Sequence, residues 1–209
     1  MASVEKYMDG AVFNILRHSE RTIAHNSNTD IEPTRTVYNY KLSPERAISD
    51  YDYYKQRKSE LYVYGRADVK TLAGWVVTLP KGATADQAEA FFRSTYEFLK
   101  ERYGEENVIS AVVHNDESGQ PHLHFNFIPA IFDFGKEREK ICANEVLCRA
   151  ELRNFHGQLQ KHLDNNGLSD LRVYTGVTAR NGRNYTVEQL KQGALERTHT
   201  IDRDRGVHW

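Results

Sequence analysis

The chain has 209 residues, of which 39% are hydrophobic and 27% charged, and its formal net charge is −1. This length suffices for one ordinary domain with its own core, and the composition excludes an intrinsically disordered chain. No stretch has the length and apolar character of a membrane-spanning helix or the layout of a signal peptide, so we expect a cytoplasmic protein whose two cysteines, Cys142 and Cys148, are reduced.

Hydrophobic periodicity and capping signals predict three helices and one strand in the first half of the chain. They are an amphipathic helix over 10–22, a helix from Ser43 to about residue 59, a buried strand over 71–79, and a helix that opens with the capping box Thr84–Gln87 and ends at Tyr103-Gly104. The polar, turn-rich residues 25–36 between the first two helices are predicted to form a loop.

In the second half of the chain the same patterns predict two strands, over 108–113 and 122–129. They are followed by one long helix over 144–165 and a last short helix that starts at Thr186. This order favours an α+β fold with a mostly antiparallel central sheet and helices packed on one face. We expect residues 1–209 to form a single domain, and we also expect it to be the N-terminal catalytic part of a longer protein.

Most of the functional evidence lies between residues 114 and 126. His122 and His124 alternate with Leu123 and Phe125, so in a strand both imidazoles lie on one face while the apolar side chains enter the core on the other. The polar segment 115–121 contains a Ser-Gly turn signal and is predicted to fold back as a hairpin loop. His114 would then lie beside the other two imidazoles.

Three converging neutral imidazoles favour a divalent metal site with open coordination positions, as in catalytic sites. A substrate phosphate oxygen could take an open position, where the ion polarises the phosphoryl group. Asp116 and Glu117 begin the hairpin loop. We expect Asp116 to orient an imidazole through a hydrogen bond and Glu117, with its longer reach, to serve as the general acid–base.

Three segments in this chain resemble known motifs in the same order. They are His18-Ser19-Glu20-Arg21 followed by the asparagine-rich residues 25–28, then Asn39-Tyr40-Lys41-Leu42, and then the span from His114 to His124 with Pro129 closing the strand. Together they resemble the Mob/Pre family, the MobV-type relaxases of the HUH endonuclease superfamily, over the N-terminal two-thirds of the chain. The superfamily is named for histidine–hydrophobe–histidine, which is His122-Leu123-His124 here.

The resemblance implies site-specific nicking and rejoining of one DNA strand by transesterification at an origin of transfer, with a covalent link to the 5′-phosphate. It also implies a bacterial enzyme that takes part in plasmid mobilisation, whose partners are single-stranded or hairpin origin DNA and other mobilisation proteins. The expected cofactor is one divalent ion, manganese first, with zinc, cobalt, nickel and magnesium as alternatives.

The resemblance assigns the attack on the phosphate to His18. A neutral imidazole is nucleophilic near neutral pH, unlike a phenol with a pKa of about 10. We expect Arg21, one helical turn further on, to hold a phosphate oxygen bidentately. Tyr38 and Tyr40 are the competing nucleophiles.

A protein of nearly neutral charge must concentrate its DNA contacts in local basic segments. The candidate DNA-binding residues lie in the Asn-Tyr motif, in the segment 55–70 and in the C-terminal region; they are Asn39, Tyr40, Lys55, Arg57, Lys58, Arg66, Lys70, Arg180 and Arg183.

Two other functions remain open from the residues. One is an HUH nuclease of rolling-circle replication or transposition, which would use a tyrosine on a late helix; the late tyrosines Tyr174 and Tyr185 lie on no clear helical face with a partner. The other is a non-catalytic repressor that binds an origin and keeps the histidines as a structural metal clip.

Overall fold

The central element of the fold is a five-stranded sheet. The computed structural model describes residues 2–23 and 28–173. The strands are β1 (Ala2–Met8), β2 (Tyr40–Lys41), β3 (Lys70–Thr78), β4 (Val108–His114) and β5 (His122–Phe127). Their order is β1-β3-β5-β4-β2, and every neighbouring pair is antiparallel. The α+β class and the antiparallel central sheet are therefore confirmed, and β5, which carries the His-x-His element, is the middle strand.

The helices are α1 (Asp9–Ser19), α2 (Asp50–Ser59), α3 (Ala85–Tyr103), α4 (Ala143–Val146) and α5 (Arg149–Asn165). A small hairpin, β6 (Ala130–Asp133) with β7 (Arg138–Ile141), follows the central strand. Within residues 2–23 and 28–173, none of the helices combines the length and the apolar character needed to traverse a bilayer.

Helices cover both faces of the sheet, so the prediction of a single covered face is wrong. On one face α5 places Phe155 in a stacked contact with Trp75 of β3, at a centroid distance of 3.6 Å. On the other face Leu72 packs with residues of α1 and α2, including Leu16 and Tyr54. The inner strands carry consecutive apolar residues such as Leu72 and Ala73, and both of their faces must therefore be buried.

Two predicted helices have different bounds in the structure. The second helix begins at Asp50 because the side chain of Ser49 accepts the N–H of Asp52, whereas Ser43 accepts the N–H of Ala111 at the edge of β4. The predicted helix over 144–165 is interrupted at Leu147, which leaves helical geometry and enters the core.

As a result Cys142 and Cys148 precede two separate helices, and neither forms a disulfide. The capping box at Thr84–Gln87 and the helix end at Tyr103-Gly104 are confirmed. The edge strands, β1 and the two-residue β2, were not predicted. The predicted helix at Thr186 lies outside the described residues.

Candidate functional site

The hairpin formed by β4 and β5 brings the three predicted imidazoles together. His114, the last residue of β4, lies directly opposite His122, the first residue of β5. His124 lies on the same face two residues further along. The ring centroids are 5.4 Å apart for His114 and His122, 4.4 Å for His114 and His124, and 4.9 Å for His122 and His124. The predicted convergence is confirmed.

Backbone carbonyl groups set the tautomers of two of these rings. The Nε2 atom of His114 lies 2.7 Å from the carbonyl oxygen of Ser19, which can only accept, so Nε2 carries the proton. The Nδ1 atom of His114 is therefore unprotonated, and it is buried with no hydrogen-bond partner among the described residues. In His122, Nδ1 donates to the carbonyl oxygen of Gln120 at 3.1 Å, which leaves the lone pair on Nε2 available.

These nitrogen atoms fit a divalent cation. One nitrogen from each of the three rings lies within 4.8 Å of the other two. Burial lowers the pKa of His114 to about 4 and holds the pKa of His124 well below its usual value, so these two rings are neutral, as ligands must be. An orphaned lone pair on a buried ring costs stability unless something binds it, and a metal ion is the partner that three imidazoles suit.

A second group that could hold a cation combines His114 with Asp116 and Glu117. Both oxygens of Asp116 are already engaged, since they accept hydrogen bonds from the guanidinium of Arg21 and the hydroxyl of Thr36. The three imidazoles are therefore the better donor set.

His18 lies beside the imidazole cluster. It belongs to the last turn of α1, and its ring centroid is 6.4 Å from that of His114 and 6.1 Å from that of His124. Burial, reinforced by the positive charge of Arg21, lowers the pKa of His18. The imidazole therefore keeps its nucleophilic lone pair to a lower pH than an ordinary histidine does.

Sequence reasoning missed the residues that anchor α1 to the sheet. The side-chain amide of Asn126 donates to the hydroxyl oxygens of Ser19 and Ser110, at 3.1 and 3.0 Å. Gly74 lies opposite Asn126, and a Cβ atom at Gly74 would come within 2.8 Å of the Asn126 side-chain oxygen. Asn126 shares the alternation of the histidines and could have been found from it, whereas nothing in the sequence marks Ser19 or Gly74.

The predicted bidentate contact of Arg21 is made with a carboxylate of the protein. Its Nε and Nη2 atoms donate to the two oxygens of Asp116 at 2.9 and 2.8 Å, and Nη2 also donates to Glu117 at 2.8 Å. The side chain of Arg21 is only 5% exposed. A positive φ of 57° at Arg21 ends α1 and turns this side chain back toward the hairpin loop. Arg21 is therefore placed to position carboxylates, and the prediction that its fork faces a phosphate is wrong for this structure.

Asp116 was predicted to orient an imidazole through a hydrogen bond. In the structure it orients Arg21 instead, so that prediction is wrong. Burial acts to raise the pKa of Asp116, but the hydrogen bonds from Arg21 and Thr36 outweigh it and hold that pKa well below its usual range. Glu117 is less buried, and its second oxygen lies 3.8 Å from Nε2 of His122. Its carboxylate thus stands at the edge of the cluster, on the side of Arg21.

Asn39 and Tyr40 of the Asn-Tyr motif contact the hairpin loop and the opposite face of the sheet. The side-chain oxygen of Asn39 accepts the N–H of Asn115 at 2.7 Å and so holds the start of the hairpin loop. Tyr40 packs against the core cluster on the sheet face opposite the imidazoles. Both residues thus have structural contacts, and their contacts with DNA stay predictions. Tyr38 is 66% exposed, and among the residues described no tyrosine ring contacts the three imidazoles or His18.

The predicted basic residues differ in how accessible they are. Arg57 is buried and donates to Asn107, Glu60 and Glu139, so it is part of the framework rather than a DNA contact. Lys58 pairs with Asp9. The side chains of Lys55 and Arg66 are 54% and 72% exposed, and Lys70 is half-buried at the start of β3. Arg180, Arg183, Tyr174 and Tyr185 lie outside the described residues.

The middle strand of the antiparallel sheet thus presents His-x-His, with a third imidazole on the neighbouring strand and a helical histidine beside them. The family model described as plasmid recombination enzyme (Mob_Pre) matches residues 1–191. The chain belongs to that family.

Individual relatives agree with this assignment. A plasmid recombination enzyme of Streptococcus agalactiae is 28% identical over 204 residues, which is 94% of this chain and 39% of the relative. One of Lactiplantibacillus plantarum is also 28% identical, over 91% of this chain and 52% of the relative. The chain thus spans about two-fifths to half the length of these relatives.

A solved structure of a related domain shows the same fold. It is a MobM relaxase domain bound to plasmid oriT DNA in a Mn-bound crystal form, and it is 27% identical to this chain with a TM-score of 0.74. The match covers 92% of this chain and 97% of that domain.

Proposed function

We propose that this chain is the catalytic part of a relaxase that nicks and rejoins one strand of plasmid origin DNA. The observation that carries the proposal is the buried Nδ1 of His114, which has no partner among the described residues and lies close to two further imidazoles beside His18. The Mn-bound, oriT-bound state of the related MobM domain supports both the substrate and the cofactor.

The residues that would hold the ion are His114, His122 and His124, with manganese as the first candidate. A divalent ion bound there supplies positive charge that polarises a phosphoryl group and offsets the charge developing on it. Arg21 is neutralised by Asp116 and Glu117, so the protein places no net positive charge of its own at this end of the cluster.

His18 is the proposed nucleophile. Its unprotonated nitrogen forms a bond to phosphorus while the bond from phosphorus to the 3′ oxygen breaks, and the leaving 3′ oxygen takes up a proton from solvent water. The imidazole loses the proton on its other nitrogen, and Glu117, at the edge of the cluster, is assigned to receive it. The 5′-phosphate remains on the protein, and attack by a 3′ hydroxyl reverses the sequence and rejoins the strand.

We place this activity in the bacterial cytoplasm, where plasmid DNA is located. The two free cysteines are consistent with a reducing compartment. Origin DNA and other mobilisation proteins are the proposed partners.

The test is to trap the covalent intermediate. The protein is incubated with Mn²⁺ and a labelled pool of random-sequence single strands, and adducts that survive denaturation are digested and mapped by mass spectrometry. We expect a phosphorylated His18, no adduct in His18→Ala, and no adduct in His124→Ala even though that variant still binds DNA. His162→Ala on α5 is the matched control and should form adduct at the wild-type level.

An adduct on a tyrosine that persists in His18→Ala would replace this proposal with a tyrosine-dependent HUH nuclease. Salt-sensitive DNA binding without any adduct would favour the non-catalytic repressor.

A further inference from the structure

A cluster of aromatic and basic side chains covers the outer surface of α1 and α2, and we call it the α1–α2 aromatic face. It consists of Phe13 and Arg17 from α1 with Tyr51 and Lys55 from α2. The rings of Phe13 and Tyr51 meet edge to face at a centroid distance of 5.0 Å. Phe13 is 46% exposed although it is a large apolar residue.

A cation lies next to each ring of this face. The guanidinium carbon of Arg17 is 5.4 Å from the centre of the Phe13 ring, and Nζ of Lys55 is 5.1 Å from the centre of the Tyr51 ring. Phe13 is the exposed ring of the pair, whereas Tyr51 is partly buried against the core. An exposed ring flanked by cations matches single-stranded nucleic acid, because a base can stack on the ring while phosphates contact the cations.

The cations on this face are available for phosphate. Among the described residues Arg17 has no carboxylate partner, and its guanidinium donates only to the backbone oxygen of Thr22. Lys55 pairs with Asp52, but both side chains are more than half exposed. Such a surface pair contributes little and can exchange for a phosphate contact.

The face lies on the same helix as the proposed nucleophile. Phe13 precedes His18 by five residues, which is about 7.5 Å along the axis of α1, and the two side chains point to different sides of the helix. A strand that passes from His18 around α1 would bring a nearby base onto Phe13.

We propose that the α1–α2 aromatic face binds the one or two nucleotides that flank the scissile phosphate, with a base stacked on Phe13 and phosphates contacting Arg17 and Lys55. This inference rests on the proposed function for the identity of the ligand. It assigns a positioning role to residues outside the histidine cluster.

A second exposed aromatic pair provides the matched control. Phe132 and Phe134 on the β6–β7 hairpin are 46% and 85% exposed. That hairpin follows the C-terminal end of β5, whereas His122 begins the strand, so the pair lies at the opposite end of β5 from the cluster. Phe134→Ala therefore removes a ring that is even more exposed than Phe13, without touching the proposed face.

The test measures binding of labelled oligothymidylate, and of an abasic oligomer with the same backbone, by fluorescence anisotropy at fixed salt. Phe13→Ala is expected to weaken oligothymidylate binding about 5- to 100-fold. It should leave abasic binding unchanged, and Phe13→Tyr should restore the affinity. Arg17→Gln should weaken binding of both oligomers. Phe134→Ala should behave as the wild type, and thermal unfolding checks that each variant is folded.

Wild-type affinity of Phe13→Ala for oligothymidylate would overturn the inference, as would equal wild-type affinity for the two oligomers. A third result is that Phe13→Ala changes the oligomeric state of the protein and leaves its affinity for oligothymidylate unchanged. That result would also overturn the inference, because the face would then bind a second protein molecule. The trapping experiment with His18→Ala separates the two proposals. Adduct formation can fail while Phe13-dependent DNA binding persists, and adduct can form on His18 while the substitution of Phe13 leaves DNA binding unchanged.

Discussion

His114 donates a hydrogen bond from Nε2 to the backbone carbonyl oxygen of Ser19, at 2.7 Å, and this bond joins the hairpin of imidazoles to the helix that carries His18. It fixes the tautomer of the ring and the distance between the two halves of the site at once. The cluster and the proposed nucleophile therefore depend on one shared contact at the end of α1.

The amide of Asn126 reinforces that contact, and its removal should loosen the end of α1. Asn126→Ala leaves the buried hydroxyl groups of Ser19 and Ser110 without their donor. We expect a loss of about 1–3 kcal/mol in the free energy of unfolding, measured by urea titration, together with slower nicking. Asn144→Ala removes an exposed amide that pairs with Lys6 and should change neither quantity. Equal stability of the two variants would contradict this role for Asn126.

The stability of the metal-free protein should depend on His114 in a defined pH window. Burial lowers the pKa of His114 from 6.5 to about 4, so between these values the unfolded chain binds a proton that the folded protein excludes. The neutral ring of His114 therefore contributes its full share of the free energy of unfolding above pH 6.5. As the pH falls toward 4, up to about 3 kcal/mol of that free energy is lost.

Urea unfolding in the presence of a chelator, repeated from pH 7 to pH 4, measures this dependence. The wild type should lose more free energy of unfolding over the window than His114→Asn does, while His162→Asn should follow the wild type. Parallel curves for the wild type and His114→Asn would show that His114 is protonated in the folded protein.

The ion pair of Arg21 and Asp116 should contribute far more than a surface pair of the same type. The two side chains are 5% and 0% exposed, so removing one charge leaves the other buried without its partner. We expect Asp116→Asn to cost about 3–5 kcal/mol in the free energy of unfolding. Glu89→Gln breaks the pair with Arg93, whose side chains are more than 60% exposed, and should cost less than about 1 kcal/mol. Similar costs in the two variants would exclude a framework role for Arg21.

Local patterns were enough to predict the core of the site. His122 and His124 follow the two-residue period of a strand, and the turn signal before them places His114 opposite, so the cluster follows from about a dozen neighbouring residues. The capping box at Thr84–Gln87 is equally local.

Contacts between distant segments were beyond the same reasoning. Arg21 has a side chain suited to a phosphate, and only the fold reveals a carboxylate 95 residues away that takes its two donors. Ser43 has the sequence of a helix cap but is recruited by Ala111 of β4. The guanidinium of the basic residue Arg57 likewise donates its hydrogen bonds to Asn107 and Glu139. In each case a tertiary partner competes with the local or ligand-binding role that the residue type favours.

The most direct measurement of the central claim is a Mn²⁺ titration followed by electron paramagnetic resonance, in which free Mn²⁺ is quantified against protein. The account predicts one tightly bound ion per chain in the wild type and in His162→Ala. In His124→Ala the affinity for Mn²⁺ should fall by more than the roughly 10- to 100-fold that is typical when a residue hydrogen-bonded to a metal ligand is changed, because a ligand itself is lost. Undiminished Mn²⁺ binding by His124→Ala, or no binding by the wild type, would contradict a metal centre built from His114, His122 and His124.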